Sequence, residues 1–295
     1  MKIAITGCTG FIGYKFIELY KNKYSLIGIT RNKSSFNEDG LEIQKSDYSV
    51  ESLINIFQNV DAVLHLASQK AFSKDHTGVQ AYTESILLLE NVLIAANQCS
   101  IKNVVNISSR CVYGIYTQTK FNELSTTHPI NKYGVMKLCG EIISEYYNNT
   151  FGMKIKNLRL AQVVGYPMKD KYMFNTFLER IRKNETIEIL GQGAGKRDYI
   201  YVDDVCRAIE IAIQRENVSG IYNIGSGIGL SNLDVAKKMI SIFESDSKIE
   251  VIKNSPLDKT NIVLDTNKAK NELGFVNKYD MDAILYDIKN KIRSE

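Results

Sequence analysis

The sequence predicts an α/β fold, in which a doubly wound parallel sheet is joined to a smaller C-terminal α/β domain. Short, continuously apolar runs alternate with segments whose apolar residues recur at helical spacing. This alternation is typical of a parallel sheet that is covered by helices on both faces. After about residue 160 the elements become shorter and more polar, and this change predicts the second domain.

The first half of the chain supplies the predicted sheet. In order, its segments are the strand "MKIAIT", the helix "FIGYKFIELYKN", the strands "YSLIGIT" and "LEIQKSD", the helix "VESLINIFQN", the strand "VDAVLHLA", the helix "AYTESILLLENVLIAANQ" and the strand "KNVVNISS". Each strand is followed by a turn or a helix, as the crossover connections of a parallel sheet require.

The second half predicts a smaller mixed unit. Its segments are the helix "MFNTFLERIRKN", the strand "TIEIL", the strand and helix of "KRDYIYVDDVCRAIEIAI", then "GIYNIG", "SNLDVAKKMISIFES", "IEVIK" and a terminal helix. Asp203 or Asp204 is the expected N-cap of the helix after "KRDYIY". The predicted domains are residues 1–160 and 161–295, with the second partly interleaved into the first.

Composition excludes several classes of protein. The 295 residues carry 37 basic and 33 acidic side chains, a balance too even for a nucleic-acid or membrane-surface protein. Five dispersed cysteines and three unrelated histidines predict neither a disulfide framework nor a metal site. No signal peptide and no apolar run of membrane-spanning length is found, so we expect a cytoplasmic protein.

A glycine-rich turn follows the first strand. "AITGCTGFIG" places Gly7, Gly10 and Gly13 between this strand and the first helix. The first glycine permits a tight turn, the second allows the backbone to approach a pyrophosphate, and the third lets helix and strand pack closely. The N-terminus of the helix offers amide donors to phosphate. The sequence therefore predicts a dinucleotide-binding unit of the Rossmann type.

Two Tyr-x-x-x-Lys segments are present, Tyr116/Lys120 and Tyr133/Lys137. Residues four apart share one face of a helix, where a lysine can lower the pKa of a tyrosine hydroxyl and hold a ribose. The tyrosine can then exchange a proton with a carbonyl or an alcohol. The first pair lies in a Thr-rich loop without helical periodicity, so we discard it. The second pair follows Asn131, a suitable N-cap, and opens an amphipathic helix.

A pair of serines ends the predicted strand "NVVNISS". Ser108 and Ser109 would therefore lie at the carboxyl edge of the parallel sheet, where ligands bind in this architecture. A serine at that edge can donate a hydrogen bond to the substrate oxygen that Tyr133 protonates.

These motifs together resemble one known family. The glycine turn, "DAVLHLAS", "ISSRCVYG", "YGVMK", "LRLAQVVG", "KRDYIYVDDV", "GIYNIGSG" and "LDTNKAKNELGF" stand in the order found in extended short-chain dehydrogenases/reductases. More narrowly, the chain resembles the NAD(P)-dependent nucleotide-sugar epimerase/dehydratase family over nearly its whole length. The resemblance implies a Rossmann-type fold, a nicotinamide dinucleotide and a nucleotide-sugar substrate, and it suggests a homodimer.

The resemblance also implies roles for individual residues. Ser109, Tyr133 and Lys137 match the catalytic residues, with Tyr133 as acid/base. The implied cofactor contacts are Gly7, Thr9, Gly10, Phe11, Ile12 and Gly13 of the turn, Asp47 and Tyr48 at the adenine, Leu66 and Ala67, and Tyr133 and Lys137. The implied substrate contacts are Ser109, Gln162 and Arg197, of which Arg197 would bind the diphosphate.

Three positions depart from the family pattern. Gln162 replaces the usual asparagine, and "NSPLD" (254–258) lacks the arginine of an Arg-Pro-Gly-Asp stretch that binds phosphate. Arg110 and Cys111 replace the Asp-Glu pair that follows the catalytic residue in dehydratases, which disfavours 4,6-dehydration.

The motifs leave three functions open, two of which involve hydride transfer at carbon 4 of the sugar. The first is reduction of a 4-keto sugar, and the second is 4-epimerisation with a retained NAD. The third is a non-catalytic dinucleotide sensor on the same fold. Such a sensor would have no need for Ser109, Tyr133 and Lys137 together.

The end of the second strand bears on the cofactor. "ITRNK" (29–33) has Thr30 and Arg31 where an acidic residue commonly accepts the ribose hydroxyls of NAD. Arg31 suits a 2′-phosphate, and Lys33 could assist it. The sequence therefore favours NADP over NAD, and with it the 4-ketoreductase, although a solvated surface charge remains the alternative.

Overall fold

The computed structural model describes residues 1–32, 41–68, 79–114, 120–167, 172–252, 254–255, 258 and 260–294. Its strands are β1 (Lys2–Thr6), β2 (Ser25–Thr30), β3 (Leu41–Lys45), β4 (Ala62–His65), β5 (Asn103–Ser109), β6 (Lys154–Leu160), β7 (Gln162–Val164), β8 (Ile187–Ile189), β9 (Lys196–Tyr201), β10 (Gly220–Ile224), β11 (Gly229–Ser231), β12 (Ile249–Val251) and β13 (Asn261–Ile262). Its α-helices are α1 (Phe11–Tyr20), α2 (Val50–Phe57), α3 (Gln80–Gln98), α4 (Lys132–Phe151), α5 (Met173–Arg182), α6 (Val202–Gln214), α7 (Asn232–Phe243) and α8 (Met281–Arg293).

The main sheet has seven parallel strands in the order β10-β6-β5-β4-β1-β2-β3. Successive side chains of a strand point to opposite faces, so Ile3 and Ile5 join one hydrophobic core and Ala4 joins the other. Helices α1 and α6 cover the first face, while α2, α3 and α4 cover the second. The predicted doubly wound parallel sheet is confirmed.

The C-terminal half builds two smaller sheets. One joins β11, β9 and β13, with β7 also paired to β9, and the other pairs β8 with β12. Helices α5, α7 and α8 pack around them. Strand β10 belongs to the C-terminal half in sequence, but it pairs with β6 at the edge of the main sheet. The division at residue 160 stays a prediction, and β10 and α6 are the elements through which the two halves interleave.

The cap predicted for α6 is wrong. Tyr201 is its N-cap residue, and Asp203 and Asp204 lie in the first turn. The buried Asp204 carboxylate instead accepts hydrogen bonds from the backbone N–H groups of Lys278 and Tyr279 and from Arg207. An acidic residue in the first turn still favours the helix through its dipole, while this one also fixes the segment before α8.

Neither membrane-spanning nor metal-binding features appear in the described part of the chain. None of its helices is long and apolar enough to cross a membrane. Within the same residues, no three His, Cys, Asp or Glu side chains gather where they could hold a metal ion. All five cysteines are described, and all are free thiols.

Candidate active site

The turn between β1 and α1 has room only for glycine at its first position. Gly7 has a φ of +70°, and a β-carbon there would lie 2.7 Å from the backbone nitrogen of Ala67. Gly10, the N-cap residue of α1, donates its backbone N–H to the Gly7 carbonyl at 3.0 Å. The turn is therefore tight, and the first amides of α1 have no partner within the helix.

A cavity of about 370 Å³ lies beside this turn. Seven of the predicted cofactor residues line it: Gly7, Thr9, Gly10, Arg31, Tyr48, Leu66 and Ala67. Four further lining residues were not predicted from the sequence, namely Ser68 and, from α3, Glu84, Ser85 and Leu88. Nothing in their local pattern distinguishes the three α3 residues from an ordinary helix surface.

Six predicted cofactor residues stand outside that lining: Tyr133 and Lys137, described below, and Phe11, Ile12, Gly13 and Asp47. The side chains of Phe11 and Ile12 pack against the hydrophobic core, and Gly13 is buried in α1. Only the backbone N–H groups of these three residues can therefore bind a phosphate. Asp47 is exposed and accepts hydrogen bonds from the backbone N–H and the hydroxyl of Ser49, the N-cap of α2, which lower the pKa of its carboxyl.

Tyr48 and Arg31 form one wall of the cavity. Tyr48 is buried, and its hydroxyl donates to the Ile29 carbonyl at 2.9 Å. The Arg31 guanidinium lies 5.5 Å from the centre of the Tyr48 ring, within range of a cation–π contact. Arg31 is exposed, and the described residues offer no carboxylate within salt-bridge distance of it. Lys33, its predicted helper, lies outside the described residues.

A buried pair supports the backbone opposite the glycine turn. The Thr6 hydroxyl hydrogen-bonds to His65 Nδ1 at 2.9 Å and accepts the backbone N–H groups of Leu66 and Ala67 at 3.2 and 3.3 Å. Burial lowers the pKa of His65 to about 3, and the nearby Lys137 charge adds to this effect. His65 is therefore neutral at physiological pH and acts as a fixed hydrogen-bonding partner.

Ser109 is the last residue of β5 and caps the short turn that follows it. Its hydroxyl oxygen accepts the backbone N–H of Cys111 at 3.2 Å. Because this bond uses the oxygen as acceptor, the hydroxyl hydrogen stays available for donation. The preceding serine is different, since Ser108 is buried and donates to Glu141 of α4.

Helix α4 carries Tyr133 and Lys137 on one face. Asn131 caps the helix by accepting the backbone N–H of Gly134 at 2.8 Å. A β-carbon at Gly134 would lie 3.0 Å from the carbonyl carbon of Cys111, so the helix approaches the turn after Ser109 closely. Burial raises the pKa of Tyr133, and the neighbouring Ser109 hydroxyl and the Arg110 charge oppose that rise. The structure thus brings Ser109 and Tyr133 together.

Lys137 is fixed by two acceptors. Its Nζ donates to the Ile107 carbonyl at 2.8 Å and to the Ser68 hydroxyl at 3.2 Å, and it lies 5.6 Å from the centre of the Tyr133 ring. Burial lowers the pKa of Lys137 to about 8, although the Glu141 carboxylate acts against this. An ammonium group has three donors, so one remains for a ligand.

A buried polar network lies beneath these residues. Glu141 pairs with Arg159 through Oε1 and Nε at 2.9 Å and through Oε2 and Nη2 at 2.7 Å. Arg159 also donates to the Tyr113 hydroxyl at 2.8 Å, and that hydroxyl donates to Asn223 at 2.7 Å. The network joins α4, β6 and β10, and so holds the helix that carries Tyr133 and Lys137 against the sheet.

A second cavity, of about 290 Å³, is lined by Arg110 and Cys111, the two residues that follow Ser109. The predicted substrate residues Gln162 and Arg197 both line it. Its other polar lining residues were not predicted to belong to a site; these include Arg110, Asn131, Tyr172, Tyr199, Asn232 and Thr260. Among them, only Arg110 stood out in the sequence, because it replaces the Asp of the Asp-Glu pair that dehydratases carry.

Arg197 is already paired in this cavity. Its Nη2 contacts Asp258 Oδ2 at 2.7 Å, and its Nη1 donates to Asn232 Oδ1 at 3.3 Å. Arg110 instead donates to the neutral Gln162 Oε1 at 2.7 Å. The discarded pair Tyr116/Lys120 cannot be compared, because Tyr116 lies outside the described residues.

The catalytic candidates lie between the two cavities. Arg110 and Cys111, directly after Ser109, line the second cavity, while Ser68, the partner of Lys137, lines the first. None of Ser109, Tyr133 and Lys137 itself lines either of them. A serine, a tyrosine and a lysine at the carboxyl edge of a Rossmann-type sheet are the arrangement of a short-chain dehydrogenase/reductase.

Comparison with known proteins defines the family. The model of the NAD dependent epimerase/dehydratase family matches residues 3–225. The chain belongs to this family and is an NAD-dependent enzyme of it. The fold is shared with the UDP-N-acetylglucosamine 4-epimerase of Bacillus cereus, at a TM-score of 0.88 and 31% identity over 100% of this chain and 97% of that one.

Other relatives show the range of the family. The UDP-glucose 4-epimerase of Thermotoga maritima, solved with UDP-glucose, has a TM-score of 0.87 and 26% identity over 100% of this chain and 99% of that one. A trifunctional UDP-glucose 4,6-dehydratase, 3,5-epimerase and reductase of Arabidopsis thaliana is 25% identical over 91% of this chain, which spans 44% of that protein.

Proposed function

We propose that the protein is a nucleotide-sugar 4-epimerase. The observation that carries the proposal is the cluster of Ser109, Tyr133 and Lys137 between one cavity at a glycine turn and another that holds Arg197. The two 4-epimerases of UDP-sugars named above, similar over the whole chain, support it. Arg110 and Cys111 in place of an Asp-Glu pair argue against dehydration.

The residues suit proton exchange at a sugar hydroxyl. The Ser109 hydroxyl would donate a hydrogen bond to the oxygen on carbon 4, and Tyr133 would take that oxygen's proton and later return it. The ammonium group of Lys137 would favour the deprotonated tyrosine and use its free donor on a ribose hydroxyl. A bound nicotinamide dinucleotide would supply the hydride acceptor and donor for carbon 4.

The residues around the first cavity fit such a cofactor. The glycine turn and the free amides of α1 suit a pyrophosphate, and we propose Gly7, Thr9 and Gly10, with the backbone of Phe11, Ile12 and Gly13, as its contacts. Tyr48, Leu66 and Ala67 supply apolar walls. Asp47 remains a proposed adenine contact that would have to share its carboxylate with Ser49.

The test is to purify the protein, identify any nucleotide that it retains, and incubate it with UDP-sugars. Retained NAD and interconversion of the two carbon-4 epimers, followed by chromatography, are the expected results. An empty site and NADPH-dependent reduction of a 4-keto sugar, without epimerisation, would refute the proposal in favour of the 4-ketoreductase.

Arg31 is the observation that favours this second function. An exposed guanidinium on the wall of the first cavity, without a carboxylate partner among the described residues, suits the 2′-phosphate of NADP. An exchangeable NADP is what a reductase would need in each cycle.

We predict that Arg31→Asp shifts the cofactor preference toward NADH. The ratio of the NADPH and NADH dissociation constants, measured by fluorescence titration, should change by about tenfold or more, because a carboxylate repels the phosphate that Arg31 attracts. Lys45→Asp is the matched control, since this exposed lysine pairs in register with Thr30 but lies outside the cavity. An equal change in both variants would mean a general charge effect.

The outer surface of α3 and α4 supports a homodimer. Leu87 on α3 and Ile142 and Tyr146 on α4 are 55%, 60% and 57% exposed, although all are large and apolar or aromatic. The two helices pack side by side, and we propose that these side chains belong to one surface that a second copy covers.

We predict that Ile142→Lys converts the dimer into a monomer. Burying a charge in the paired surface is costly, so the mass measured by light scattering should fall by about half. Tyr286→Lys, on α8 and 56% exposed, is the control and should leave the mass unchanged. A monomeric wild-type protein would contradict the proposed homodimer.

A further inference from the structure

The second cavity contains one arginine whose charge is not balanced. Arg110 is partly buried, and its only hydrogen bond within the described part of the chain is the one to the neutral Gln162. No described carboxylate lies within salt-bridge distance of it. Arg197, on β9, is neutralised by Asp258 at 2.7 Å. The two arginines therefore differ in what they can still bind.

A buried hydroxyl points to a ligand at the same place. Tyr199 lines the cavity and is 3% exposed, yet its hydroxyl has no hydrogen-bond partner among the described residues. Burial raises the pKa of Tyr199 to about 12; the charges of Arg197 and Arg110 oppose this rise, and the Asp258 carboxylate, which is paired with Arg197, adds to it. The hydroxyl stays protonated at neutral pH. A buried donor left unpaired costs about 1–3 kcal/mol, and a ligand acceptor would remove this cost.

Arg110 belongs to the reacting end of the cavity. It follows Ser109 directly, and its charge lowers the pKa of Tyr133. Arg197 is instead held by Asp258, Asn232 and Thr260, which belong to the C-terminal half of the chain. A group that binds Arg110 therefore lies on the sugar, close to carbon 4, rather than on the nucleotide.

We propose that Arg110 and Tyr199 form a subsite for a carboxylate on the sugar ring, so that the preferred substrate is a nucleotide-linked uronic acid. This inference rests on the proposed function, since it names the sugar class for the same site. A guanidinium matches a carboxylate in a two-point contact, and the Tyr199 hydroxyl adds a third donor. The bond from Arg110 to Gln162 orients the guanidinium for this contact.

A neutral sugar would satisfy fewer of these donors. UDP-glucose has a hydroxymethyl group where UDP-glucuronic acid has a carboxylate, and the two are otherwise the same. The single hydroxyl oxygen carries no charge and cannot make the two-point contact with a guanidinium, so it should bind this subsite more weakly than a carboxylate does.

The test is calorimetric titration of the full-length, NAD-loaded protein with UDP-glucuronic acid, UDP-glucose and UDP. We expect UDP-glucuronic acid to bind at least about tenfold more tightly than UDP-glucose. In Arg110→Met this ratio should fall to near one, and Tyr199→Phe should reduce it in part. Arg110→Lys should retain part of it, because lysine keeps the charge but loses the two-point contact. Arg182→Met, at an exposed position of α5, is the control and should keep the wild-type ratio.

Each other outcome overturns a specific claim. Equal affinity of the wild-type protein for the two sugars refutes the subsite. If Arg110→Met weakens UDP and both sugars equally, Arg110 binds the diphosphate and the inference is wrong. Selective binding that depends on Arg110, without interconversion at carbon 4, refutes the proposed epimerase and leaves the subsite intact. Thermal unfolding of each variant shows whether a loss of binding reflects misfolding.

Discussion

Replacement of Tyr133 by phenylalanine should lower kcat/KM for sugar interconversion by about a hundredfold or more while cofactor binding persists. Phenylalanine keeps the ring that lies 5.6 Å from Lys137 Nζ and removes only the hydroxyl that exchanges the proton. The measurement is steady-state kinetics together with titration of the cofactor.

An exposed tyrosine of α8 supplies the control. Tyr286 is 56% exposed, so Tyr286→Phe should leave kcat/KM within about twofold of the wild type, as surface substitutions usually do. Near-wild-type activity of Tyr133→Phe would contradict its role as acid/base. Loss of cofactor binding in that variant would instead mean that the hydroxyl maintains the site structure.

The Glu141→Gln variant should be much less stable than the wild-type protein. Glu141 and Arg159 are each 2% exposed, and both carboxylate oxygens contact the guanidinium. Loss of one partner leaves a buried charge uncompensated, which costs about 3–5 kcal/mol of unfolding free energy. Glutamine keeps the volume of the side chain, so the decrease in unfolding free energy can be attributed to the lost charge. Denaturant unfolding followed by circular dichroism measures it.

Helix α4 offers a matched control for this substitution. Glu145, one turn further along, is exposed, and Glu145→Gln should change the unfolding free energy by less than about 0.5 kcal/mol. Equal stability of the two variants would show that the buried pair makes little net contribution.

The same substitution should also change the pH dependence of activity. Burial lowers the pKa of Lys137 to about 8, even though the Glu141 carboxylate acts in the opposite direction. Without that carboxylate the pKa of Lys137 falls further, and the amine loses its positive charge at a lower pH. The alkaline limb of the kcat/KM profile should therefore move to lower pH. If the pH profile of kcat/KM is the same in the folded Glu141→Gln protein as in the wild type, Glu141 stabilises the fold but does not tune the pKa of Lys137.

Local patterns predicted those features that depend on neighbouring residues. The spacing of Tyr133 and Lys137, the Asn131 cap and the glycine turn all act within one turn of helix or one loop. These site features could therefore be predicted from the sequence alone. The parallel sheet was predicted for the same reason, since β1, β2 and β4 carry short, continuously apolar runs.

Contacts between residues that are far apart in the sequence could not be predicted. "GIYNIG" was interpreted as a small element of the C-terminal half, but β10 lies beside β6, which is more than fifty residues earlier. The pairing of Arg197 with Asp258 and the unbalanced charge of Arg110 depend equally on residues that are distant in sequence. The hydrophobic periodicity of a segment does not predict such contacts, because they depend on how separate helices and strands pack together.

The place of β10 has a consequence for synthesis of the chain on the ribosome. Until residue 224 has been made, the edge of β6 has no strand to pair with, and Asn223 cannot reach Tyr113 or the Glu123 carboxylate. An open edge strand is a template for association with other chains. We therefore expect nascent chains that stop between residues 160 and 220 to aggregate or to bind chaperones, whereas chains that extend past β10 can close the sheet.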